Sequence, residues 1–82
     1  MAYYVRFGNY PELYPKEVLD VIRLRTEGMI TWTAFREYMR KYNISPTRAL
    51  IFQGCVERGE YEVYDEEGNI IPKEVLEKSI NV

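Results

Sequence analysis

Thr33, Arg36, Arg40 and Lys41 fall close enough in the chain that 3.6 residues per turn sets a hydroxyl and three cations side by side on one helical face. Such a face suits phosphate groups, whose oxygens accept from guanidinium, ammonium and hydroxyl donors. It equally suits a helix side that only faces water. Asp65, Glu66 and Glu67 gather carboxylates, but a calcium loop needs six or more oxygen ligands at ordered spacing, so a solvated turn explains them better. The eight tyrosines offer faces for stacking on bases. Tyr38 and Tyr42, however, belong to a core stripe, and Tyr3, Tyr4, Tyr10, Tyr14 and Tyr61 read as half-buried wall residues.

Catalysis finds no footing. There is no histidine to act as a base, the single cysteine, Cys55, has no histidine partner, and no glycine-rich loop precedes a lysine. Paired carboxylates remain the one route that a fold can assemble from distant positions. The chain therefore reads as a binding protein rather than an enzyme, with no catalytic residue, no metal ligand set and no cofactor implied.

The elements that must position these residues follow from hydrophobic period and local punctuation. Tyr3, Val5 and Phe7 alternate with Tyr4 and Arg6, a short strand that stops at Gly8-Asn9. Gly8 to Pro15 is expected to be a loop, with Pro15 at the first helical position, and a helix over Lys16 to Glu27 closed by Gly28. Its broad apolar arc, Val18, Leu19, Val21, Ile22 and Leu24, implies a central helix packed by two neighbours. Thr31 caps a second helix running to Tyr42, in which Trp32, Phe35, Tyr38, Met39 and Tyr42 share a stripe of about 120°. Asn43 suits the left-handed end of that helix, and Ile44-Ser45-Pro46 supplies a staple, an N-cap and a first-turn proline for a third.

The third helix is expected from Pro46 to about Arg58, stopped by Gly59, with Ala49, Phe52 and Val56 inward and Cys55 beside them. Gly54 costs it about 1 kcal/mol against alanine, which leaves a strand over Arg48 to Gln53 as the competing reading. On the opposite side, Leu50 and Ile51 need a cover, either other parts of the chain or a second subunit. Glu60 to Tyr64, the turn Asp65 to Asn69 and Ile70-Ile71 make a hairpin, and Pro72 opens a short last helix, Lys73 to Ser79, burying Val75, Leu76 and Ile80.

Eighty-two residues, 46% hydrophobic and 29% charged, fit a single domain over residues 1–82 with a core and a solvated surface. Domains of this size gain from dimerisation, so a homodimer is expected. A lone cysteine, no signal peptide and no apolar run near the roughly 20 residues that span a bilayer point to the cytoplasm and away from membranes. High charge with one glutamine and no histidine gives a thermophile-like composition. The net charge of −2 hides an asymmetry: residues 1–48 are net positive and residues 49–82 net negative, so an anionic partner is steered to the first part.

Taken together, Met29-Ile30-Thr31-Trp32 leading into a helix, the turn Asn43-Ile44-Ser45-Pro46-Thr47, a helix closing on Val56-Glu57-Arg58-Gly59 and the segment Glu60 to Asn69 resemble the winged helix-turn-helix superfamily over residues 15–71. The expected fold is α+β and mainly helical: a short N-terminal strand, three helices, a β-hairpin wing and a short C-terminal helix. The resemblance implies that the third helix lies in the DNA major groove, its first turn reading base edges, while the wing touches phosphate or minor groove. Carried over residue by residue, Ser45, Thr47 and Arg48 face DNA and Asn69 reaches the backbone from the wing. The function so implied is that of a small protein binding double-stranded DNA, a transcription regulator. The acidic second half and the apolar outer side of the third helix support a different expectation. On that view the chain is a protein-interaction module that docks a subunit of a larger complex, such as a polymerase or replication assembly, without touching DNA.

Overall fold

The computed structural model describes residues 2–75. Along the chain they form β1 (Tyr4–Phe7), β2 (Tyr14–Pro15), α1 (Lys16–Thr26), α2 (Trp32–Arg40), α3 (Pro46–Arg58), β3 (Tyr61–Tyr64) and β4 (Ile70–Ile71). The result is an α+β domain whose four strands make an antiparallel sheet in the order β2-β1-β3-β4. Register pairs Val5 with Val63 and Tyr4 with Tyr64. Because side chains alternate along a strand, Val5, Phe7 and Val63 are buried on the inner face while Tyr4, Arg6, Glu62 and Tyr64 occupy the outer one.

Helix ends follow local chemistry. The Thr31 hydroxyl accepts the Ala34 N–H and that of Ser45 accepts the Arg48 N–H, each at 3.2 Å, so both helices start where a side chain satisfies an otherwise unpaired donor. Asn43 has φ 58°, the left-handed turn that separates α2 from α3, and Gly59 ends α3 at φ 73°. Gly54 is tolerated inside α3, and no strand forms over Arg48 to Gln53. The Arg58 guanidinium folds back over Gly54, where a Cβ would meet it at 3.1 Å.

Three expectations need correction. Gly8 to Pro15 is not all loop, since Tyr14–Pro15 pairs with β1; β2 is an edge strand, where the N–H that proline lacks is not needed for a second neighbour. Pro15 consequently precedes α1 as its cap residue rather than serving as its first helical residue. α2 ends at Arg40 because Lys41, Tyr42 and Asn43 donate to carbonyls three residues back, tightening the last turn out of α geometry.

The core joins the inner sheet face to all three helices. α1 contributes Val18, Leu19 and Ile22, α2 Phe35 and Met39, and α3 Ala49, Phe52 and Cys55, with Tyr14 filling in from β2 and Ile44 from the α2–α3 turn. α1 lies against α2, α3 and β1, as a broad apolar arc requires, although Val21 is only half-buried and Leu24 is exposed. Lys73 to Val75 turn helical after β4, with Val75 exposed rather than buried; the rest of the expected last helix, including Leu76 and Ile80, lies outside the described residues. Among the described residues no helix is long and apolar enough to cross a membrane.

Candidate functional site

The second half of α2 and the turn into α3 enclose a groove of about 380 Å³, with Arg36, Glu37 and Arg40 on one wall and the segment Asn43 to Pro46 on the other. Local sequence builds both walls. Phe35 and Met39 anchor α2 in the core and thereby turn Arg36 and Arg40 outward, one helical turn apart. Opposite them, Asn43 reverses the chain, Ile44 buries itself and pins the turn, and Ser45 caps α3. The positive end of the α3 backbone dipole therefore borders the groove.

The chain has seven arginines, and what distinguishes Arg36 and Arg40 is that they are unspent. Arg6 pairs with Glu62 at 2.6 Å, Arg58 with Glu60 at 2.7 Å and Arg48 with Glu12 at 3.4 Å. Arg23 donates to the Tyr61 hydroxyl, and Arg25 to the Ile30 carbonyl at 2.9 Å. Among the described residues, the side chains of Arg36 and Arg40 make no hydrogen bond or ion pair, and both are exposed on the same groove. Glu37 is the one carboxylate on the lining among the described residues.

Of the residues proposed from sequence, the structure gathers Arg36, Arg40 and Ser45 at this groove. Thr47 follows in the exposed first turn of α3. Thr33 is exposed in the first turn of α2, apart from the lining. Lys41 is exposed and sits 5.8 Å from the Tyr38 ring centroid. That ring is one of a pair, Tyr38 and Tyr42, whose hydroxyls meet at 3.3 Å. Burial first, then the Tyr42 hydroxyl and the charges of Glu17 and Asp20, push the Tyr38 phenol up to about 12.

Asn69 is occupied by its own hairpin. Asp65 accepts the N–H groups of Glu67 and Asn69 at 2.9 Å each and the Asn69 side-chain amide at 3.4 Å. Those donors, Asn69 foremost, hold the Asp65 carboxyl below its usual pKa. Of the three acids of this turn, Asp65 organises the backbone, and the Glu66 carboxylate accepts the Ala2 N–H at 2.6 Å. Leu50 and Ile51, 55% and 41% exposed, lie on the outer side of α3 with no cover among the described residues.

Arg48 differs from its expected setting. Its guanidinium stacks over Tyr10 at 4.8 Å from the ring centroid and reaches Glu12. The Tyr14 hydroxyl above all, with the charge of Glu12, raises its pKa against the effect of partial burial. Tyr10 was read from sequence only as a half-buried wall residue and Glu12 was not singled out, and no local pattern ties either to Arg48, because they meet it only through the pairing of β1 with β2. Asn43 and Ile44 were legible as turn residues but not as groove wall. Compared with protein-family models, curated proteins and solved structures, the chain matches none of them.

Proposed function

We propose that this protein binds double-stranded DNA through the groove between α2 and α3, as a small regulator of the winged helix-turn-helix type. Arg36 and Arg40 hold backbone phosphates, and Ser45 and Thr47 lie beside them at the start of α3. The observation that carries the reading is the pair of unspent arginines on one groove. Side chains that find no partner among the described residues, one turn apart and next to a capped helix start, form a cationic recess matched to phosphate oxygens. The order of elements, three helices followed by the β3–β4 hairpin, is compatible with that type.

The test is binding of a labelled mixed-sequence duplex by fluorescence anisotropy across a salt series. Each phosphate contact contributes about 0.9 to the slope of log affinity against log salt, so relative to 1 M salt each is worth roughly eightfold at 0.1 M. An Arg36→Ala/Arg40→Ala variant is therefore expected to bind about 60-fold more weakly at 0.1 M, with a slope smaller by about 1.8. No binding by the wild-type chain at low salt, or an unchanged slope in the folded double variant, sinks the reading.

A second reading rests on Leu50 and Ile51. Two large aliphatic side chains exposed next to each other on α3 suit a protein contact, with a second copy of this chain as the simplest occupant.

A further inference from the structure

Arg48 is the third residue of α3, the position at which a helix entering a DNA groove presents a side chain to the ligand. Besides the Tyr14 hydroxyl, two groups already engage its guanidinium. One face lies over the Tyr10 ring, which is itself held edge-on against buried Phe52 with ring centroids 5.3 Å apart and planes at 81°. The edge of the guanidinium points an N–H at the Glu12 carboxylate, 3.4 Å away. The two partners differ in kind. Tyr10 is fixed by the core, whereas Glu12 stands on the exposed connection between β1 and β2, with 44% of its side chain accessible and 39% of that of Arg48.

An aromatic platform beneath and an anion at the edge are the two contacts an arginine takes up on nucleic acid. Glu12 therefore stands where a phosphate or an acceptor on a base edge would sit. We infer that Glu12 is an internal counter-ligand that competes with DNA for Arg48, so that the chain grips duplex through Arg36 and Arg40 and draws little sequence preference from Arg48. The inference rests on the DNA-binding reading and specifies its substrate class as duplex of any sequence. Because the pair is exposed, the competition is mild: removing the carboxylate frees at most about a fivefold gain.

The experiment is a mutant cycle with wild type, Glu12→Gln, Arg48→Ala and the double variant, each checked for fold by circular dichroism. Binding is measured on two duplexes of unrelated sequence over a salt series. Arg48→Ala alone is expected to change affinity by less than about twofold and to leave the two duplexes equivalent. Glu12→Gln is expected to bind between about two- and fivefold more tightly at 0.1 M, with a salt slope larger by about 0.3 to 0.7. In the double variant the gain disappears, which separates release of Arg48 from the general effect of deleting one negative charge. If Arg48→Ala weakens binding as much as Arg36→Ala does and Glu12→Gln adds nothing, Arg48 already engages DNA; the counter-ligand role is then wrong while the groove reading stands. An equal gain from Glu12→Gln with and without Arg48 also overturns it. If neither wild type nor Glu12→Gln binds any duplex at low salt, the groove reading fails and the inference falls with it.

Discussion

Replacing Phe52 tests the packing that holds α3, and with it one wall of the groove, in place. The side chain is fully buried, stacked on Phe7 with centroids 4.4 Å apart and planes at 20°, and edge-on to Tyr10 and Tyr14 at 5.3 and 5.5 Å. Phe52→Ala removes the ring and leaves a cavity walled by three other rings and helix backbone, which cannot collapse far; the cost is about 3–5 kcal/mol. A domain of 82 residues has roughly 4–12 kcal/mol of net stability, so the loss is about a quarter or more of the total. Phe52→Leu retains most of the apolar volume and loses only the ring-to-ring geometry, about 1–2 kcal/mol. Urea denaturation followed by far-UV circular dichroism measures both, with the alanine midpoint expected about 2 M below wild type. An alanine loss below about 1.5 kcal/mol, or equal losses in the two variants, refutes the argument that the ring stack anchors α3 to β1.

The raised Tyr38 pKa makes a prediction at high pH. A phenol held neutral in the folded state contributes stability that is fully present below its unfolded value of about 10 and is lost as pH rises through the folded value of about 12. The tyrosinate absorbance that Tyr38→Phe removes should titrate near 12, and a midpoint at about 10 contradicts the cause assigned to it. For Leu50 and Ile51, sedimentation should show the wild-type chain as a dimer at tens of micromolar and Leu50→Glu/Ile51→Glu as a folded monomer; a wild-type chain that stays monomeric at that concentration overturns a second copy as the occupant.

The parts of the fold readable from the residues alone are those settled within a few positions of one another. Thr31 and Ser45 cap because a hydroxyl reaches an N–H three residues on, and Asn43 and Gly59 end helices because they take left-handed φ values at low cost. The stripe of Phe35 and Met39, flanked by Trp32, Tyr38 and Tyr42, likewise follows from helical period alone, and it fixes that Arg36 and Arg40 face outward. What sequence left open depends on strands meeting across the sheet. Tyr14–Pro15 is a strand only because β1 lies beside it, and two residues, one of them proline, carry no period to reveal that. The fate of each arginine was open for the same reason. Arg6 finds Glu62 across 56 residues and Arg48 finds Glu12 across 36, whereas the side chains of Arg36 and Arg40 find no partner among the described residues. Composition counts all seven as equal positive charges. A guanidinium is engaged by whichever carboxylate, carbonyl or ring the fold brings within a few ångströms, so tertiary structure alone decided which two have no side-chain partner among the described residues.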